Sequence, residues 1–207
     1  MTLLLISSTS AHEAIKAFRG GADIIDIKNP KEGSLGASFP WIISETKKSI
    51  PAYVPISAAI GDFPDLPGSA SLATLGAIEA GADIVKVGLK GPRRLEDAAH
   101  LMKQVVRAAK LSSKKVKVVV CGYGDFERTN TIEPFLLPEV AKIANAEIVM
   151  IDTGIKDGKP LTDFLSKSEL KEIVEKAHSL GIEIALSGLS LIHISEPTRL
   201  GMISYAV

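Results

Sequence analysis

The chain of 207 residues holds a single cysteine, Cys121, so no intrachain disulfide can staple the fold. Its four histidines are scattered without the paired spacing of a zinc site, and neither a metal nor another cofactor is expected. An excess of either charge is missing too. With 24 Lys+Arg against 24 Asp+Glu, no basic face is offered to a nucleic-acid backbone or an anionic membrane. No apolar run approaches the roughly 18 residues that a membrane helix needs, and the apolar Met1–Ser8 stretch lacks the basic leader of a signal peptide. A cytoplasmic protein acting on small molecules fits these absences, with a homo-oligomer left open. What remains, 46% apolar and 23% charged residues, suffices for one globular domain with a full core.

Short β-branched runs at 3–8, 23–28, 53–60, 83–89, 116–123, 147–153 and 182–188 are each followed by residues of helical periodicity. After the first step they recur about every 30 residues, the length of a strand, a helix and two loops, which implies parallel strands joined by right-handed crossovers. Ser10 with Glu13, and Ser166 with Glu169, have capping-box spacing at helix starts. An echo supports the repeat. Gly21-Ala-Asp-Ile-Ile-Asp-Ile-Lys28 aligns without gaps with Gly81-Ala-Asp-Ile-Val-Lys-Val-Gly88, and more weakly with Asn145 to Asp152. The first loops carry no Gly-x-Gly-x-x-Gly, so a dinucleotide-binding sheet loses ground to a closed (β/α)8 TIM barrel.

The pattern stops after Gly188. Residues 189–207, interrupted by Pro197, predict neither a long amphipathic helix nor an eighth strand with its crossover. They read as a non-native tail, like translated sequencing adapter joined to a truncated frame. The expected architecture is therefore an α/β barrel over 1–188, truncated, with about seven of eight strands. An inactive fragment that self-associates through its open edges is the alternative from another class.

Charge gathers at the strand ends. In the repeat register Lys28 and Asp152 share one level of the barrel mouth, and Asp26 and Lys86 lie one inward step below, about 7 Å along the strand. Two lysines in a dry interior depress each other's pKa, so one amine can be neutral enough to attack a carbonyl while Asp26 and Asp152 hold the other charged. The bland reading is that Lys28 snorkels to solvent with Asp26 as its ion-pair partner. Gly88, at the level of Lys28, leaves room for a substrate carbon. Lys156 is a phosphate contact or a solvated loop lysine, and Gly188 stands where barrels often begin a phosphate-binding loop. Tyr123 is a rim contact or packing, and Cys121 is read as facing outward to the helices.

The stretch 23–41, Asp-Ile-Ile-Asp-Ile-Lys-Asn-Pro-Lys-Glu-Gly-Ser-Leu-Gly-Ala-Ser-Phe-Pro-Trp, closely resembles the (5-formylfuran-3-yl)methyl phosphate synthase family of methanofuran biosynthesis. Residues 83–89, 121–125, 152–159 and 177–181 match the same family in order, and the likeness covers 1 to about 188. It implies a (β/α)8 barrel condensing two molecules of glyceraldehyde 3-phosphate, a phosphorylated triose, by class I aldolase chemistry without a metal. Lys28 matches the family's Schiff-base lysine and Lys86 its proton acceptor. Asp26, Asp152 and Lys156 match other active-site positions, for orientation, proton relay and phosphate contact. Another class I aldolase, or a triose-phosphate isomerase-like barrel, is the runner-up.

Overall fold

The computed structural model describes residues 3–188 and the backbone of 202–206. Strand and helix alternate in chain order: β1 (Leu3–Ser8), α1 (Ala11–Arg19), β2 (Ile24–Ile27), α2 (Pro40–Ser49), β3 (Ile56–Phe63), α3 (Pro67–Glu79), β4 (Ile84–Leu89) and α4 (Leu95–Ala109). Then follow β5 (Lys117–Tyr123), the single turn α5 (Phe126–Thr129), α6 (Leu137–Ala144), β6 (Ile148–Asp152), α7 (Lys167–Ser179) and β7 (Glu183–Leu186). Each strand from β1 to β7 pairs in parallel with the next, and the sheet curls into the barrel that the alternation predicts.

The tail brings one correction. A further strand, β8 (Met202–Ala206), lies between β7 and β1, antiparallel to both, and closes the ring where the sequence predicts no strand. The edges of β1 and β7 present rows of unpaired backbone groups, and a short extended segment can satisfy both without a crossover helix. Residues 189–201 and 207, the rest of the expected tail, lie outside the described residues.

Local chemistry sets the helix ends. Ser166 and Glu169 form a full capping box at α7. At α1 the Ser10 side chain accepts from Glu13 N–H, but the Glu13 carboxylate reaches past the cap to Thr9 N–H at 2.7 Å. Gly21 and Gly81, at φ +93° and +114°, make the left-handed exits that lead into β2 and β4. In α4 the residues Ala98, Leu101, Met102, Val105, Val106 and Ala109 recur every three or four positions and are buried. Truncating Leu101 or Met102 to Ala costs about 2–5 kcal/mol on general grounds. Among the described residues no helix is long and apolar enough to cross a membrane.

Period-two alternation splits each strand between two apolar compartments. Ile25, Ile27, Val85, Val87, Val118, Val120, Val149 and Ile151 pack outward beneath the helices. Leu5, Ile24, Ala59, Ile84, Val119, Ile148, Met150 and Ala185 fill the barrel. Cys121 and Tyr123 belong to the inner set, which corrects the outward reading of Cys121. Residues 118–123 carry no charge on either face, so nothing in that run marks which face is inside. Toward the C-terminal ends of the strands the filling turns from apolar to charged.

Candidate active site

β2 carries Asp26 inward, and the chain leaves the strand at Lys28, whose N–H still bonds Ser8 O at 3.2 Å. β4 carries Lys86 on its inward side. Lys86 Nζ lies 2.6 Å from Asp26 Oδ2, and neither side chain is exposed at all. Ser7 Oγ donates to the same oxygen at 2.9 Å. Asp26 Oδ1 and Ser57 Oγ, on paired residues of β2 and β3, are buried without a hydrogen-bond partner among the described residues. They leave polar capacity inside the barrel.

Lys28 differs from Lys86. It forms no ion pair among the described residues, and Asp26, which the bland reading gives to Lys28, is taken by Lys86. Burial pulls the Lys28 amine below the usual lysine range. Asp152 and Asp26 pull it back up, while the Lys86 and Lys156 charges push it further down. The two lysines therefore differ: Lys86 is held in a buried ion pair, whereas Lys28 has no ion-pair partner among the described residues and an amine depressed below the ordinary lysine range.

Asp152 ends β6 and is fully buried. Burial alone would raise its carboxyl, but Lys156, Lys28 and the Thr153 N–H hold it below the ordinary value. Lys156 Nζ stands 2.7 Å from Asp152 Oδ1 and 3.1 Å from Thr153 Oγ1, so it lies beside Asp152 and also reaches solvent. Gly188 completes this edge at φ +70°, where a Cβ would meet Asp152 Oδ1 at 3.2 Å. The structure thus gathers Asp26, Lys28, Lys86, Asp152 and Lys156 at one mouth, with Gly188 on its rim.

One expectation fails. The space above Gly88 is not free for a substrate carbon, because a Cβ there would overlap Tyr123 Oη and crowd Asp62 Oδ1 and Leu35 Cδ1. Tyr123 reaches over Gly88 of β4 and donates its hydroxyl to Asp62 of β3, and it stays protonated: burial and the Asp62 charge push the phenol well above its usual value. Sequence reasoning missed Asp62. By strict alternation it would face away from Ala59's side, but the β3–β4 register shifts between Ala59 and Asp62, where Gly61 takes φ +134°. The glycine before it was the readable signal of a bulge.

Also missed was the loop after β2, which folds over the mouth. Ser34 Oγ donates to Thr153 O at 2.8 Å, and Leu35 packs among the inward-facing residues of the barrel. Nothing in the 29–36 run has a period that predicts this long-range contact.

Comparison with known proteins shows what this chain is similar to. Several curated relatives carry the name (5-formylfuran-3-yl)methyl phosphate synthase. The one from Methanosarcina mazei is 51% identical over 185 residues, covering 89% of this chain and 79% of its own. The one from Methanocaldococcus jannaschii is 49% identical over 186 residues, covering 90% and 79%. Among solved structures, a putative copper homeostasis protein, CutC, from Streptococcus agalactiae superposes with TM-score 0.67 at 14% identity, covering 91% of this chain and 88% of its own. A 2,3-dimethylmalate lyase gives 0.62 at 12% identity, covering 89% and 74%. These two show the fold alone. The model of the 4-HFC-P synthase family matches residues 4–200, and the chain belongs to that family.

Proposed function

We propose that this chain condenses two molecules of glyceraldehyde 3-phosphate into (5-formylfuran-3-yl)methyl phosphate, the compound in its relatives' names, through a Schiff base on Lys28. As a carbon–oxygen lyase it would serve methanofuran biosynthesis in the cytoplasm. The observation that carries the reading is the contrast between the two amines: Lys28 is depressed by burial and unpaired among the described residues, while Lys86 is locked to Asp26 at 2.6 Å.

The chemistry follows from that contrast. One triose isomerises to the ketone. The neutral Lys28 amine attacks its carbonyl, a C–N bond forms, and water leaves as the iminium appears. Loss of a proton from the adjacent carbon gives an enamine, and within the Lys86–Asp26 pair the carboxylate, whose Oδ1 has no hydrogen-bond partner among the described residues, accepts that proton. The enamine carbon attacks the aldehyde of the second triose, and the new C–C bond leaves an alkoxide that takes a proton back. Elimination of one phosphate, hydrolysis of the iminium, which breaks the C–N bond and restores the Lys28 amine, ring closure and two dehydrations complete the furan. Overall, two trioses give one furan phosphate, one phosphate and two waters. Asp152 orients the Schiff-base lysine, and Lys156 with the Gly188 rim receives a phosphate group.

Incubation with glyceraldehyde 3-phosphate alone tests the reading. A near-ultraviolet furan chromophore with stoichiometric phosphate release supports it. A borohydride-trapped triose without furan would instead assign another class I aldolase or a triose-phosphate isomerase-like barrel, and neither product nor adduct would end the proposal.

A further inference from the structure

Asp62 is a buried carboxylate that the mechanism above does not use, and several local features serve to seat it. Gly61 bulges β3 so that Asp62 turns into the mouth. Gly88 lacks the Cβ that would block its bond to Tyr123, and Gly33, at φ +140°, lets the loop after β2 lie directly against Oδ2. Oδ1 accepts from Tyr123, whereas Oδ2 is buried with no hydrogen-bond partner among the described residues. Among the described residues one cation faces it there: Lys90 Nζ, just past the end of β4, at 3.7 Å.

That arrangement repeats one already described. At the end of β6, a fully buried Asp152 holds Lys156, whose side chain is 46% exposed. On β3, Asp62, 5% exposed, faces Lys90, just past the end of β4, whose side chain is 44% exposed. The two carboxylate–lysine pairs flank β5, with Tyr123 between them. In each pair a buried carboxylate faces a half-exposed lysine, and the exposed half leaves donors free for an anion.

We propose that Lys90 is the anchor for the phosphate of the second triose, and that Asp62, itself held by Tyr123, is the residue that positions it. This rests on the two-triose reading above, since two phosphate dianions repel and need separate cationic seats. Lys156 takes one and Lys90 the other. The 3.7 Å gap from Lys90 to Asp62 is longer than a hydrogen bond, so the ammonium keeps its donors for the incoming oxygens.

Two measurements on the full chain test this. In calorimetric titration with inorganic phosphate, the wild type takes up two equivalents, and Lys90→Met and Lys156→Met one each. In turnover, Lys90→Met raises KM for glyceraldehyde 3-phosphate about tenfold yet leaves borohydride trapping of the first triose on Lys28 unchanged. Lys90→Arg restores most of the affinity, and Asp62→Asn raises KM in the same direction with kcat little changed. Two equivalents of phosphate on Lys90→Met, or furan formation at wild-type KM, would overturn the assignment. If the wild type makes no furan, the parent reading fails on its own, and the phosphate stoichiometry still decides the role of Lys90.

Discussion

Lys86 and Asp26 meet at 2.6 Å inside the barrel with no exposure on either side chain, and this pair leaves the neighbouring Lys28 without a direct counter-ion among the described residues. The site's reactivity follows from that allocation. One buried ammonium is neutralised by a carboxylate, and it acts as a like charge on the second amine.

The pair is a liability when halved. Lys86→Met leaves a buried carboxylate uncompensated and costs about 3–5 kcal/mol, whereas Asp26→Asn combined with Lys86→Met recovers most of that loss. Urea denaturation of the three variants measures it. Equal stabilities for the single and double variants would mean that Asp26 is protonated or solvated once Lys86 is gone.

A pH dependence follows for Lys28. Its reactive form is the neutral amine, and its pKa lies below the ordinary 10.5, so the rate of imine formation rises with pH through a midpoint below that value. Removing the Lys86 charge takes away a depressing influence and frees Asp26 to act, both of which raise the pKa. The midpoint in Asp26-intact Lys86→Met therefore moves to higher pH. Borohydride trapping across a pH series reads the shift, and an unmoved midpoint would place the two amines too far apart to interact.

Asp152 sets an acid limit. Its folded pKa lies below 3.8, so it contributes stability that is complete above that value and lost as pH falls through the folded pKa. Lys156→Met removes the largest influence holding it down. Acid unfolding of that variant then begins at higher pH than in the wild type, as circular dichroism between about pH 2 and 6 can record.

Gly88 tests the crowded crossing above the lysines. Gly88→Ala drives a methyl into the Tyr123–Asp62 bond and costs about 1–3 kcal/mol by overpacking. Adding Tyr123→Phe removes the hydroxyl and relieves part of the cost. Thermal unfolding distinguishes this from an additive pair, in which the double variant is simply less stable than either single one.

How much of this the sequence disclosed depends on whether the controlling signal is periodic. The seven parallel strands are readable because each β-branched run alternates with a helical stretch, and the Gly21 to Lys28 echo at Gly81 to Gly88 puts Asp26 and Lys86 at one inward level of the barrel. Asp62 was hidden because a bulge at Gly61 reverses the strand's alternation, and the face of Cys121 was hidden because its strand is apolar on both sides. Leu35 and Ser34 come from a loop whose contacts lie more than a hundred residues away in Thr153, beyond the reach of local pattern. The antiparallel β8 depends on two open strand edges, a property of the assembled sheet that no segment of the tail states by itself.

The most direct test of the central claim is to reduce the enzyme with borohydride in the presence of glyceraldehyde 3-phosphate and locate the adduct by peptide mass mapping. The account predicts one reduced triose adduct, on Lys28, absent in Lys28→Ala and retained in Lys156→Met. An adduct on Lys86, or an undiminished yield of furan from Lys28→Ala, would contradict it.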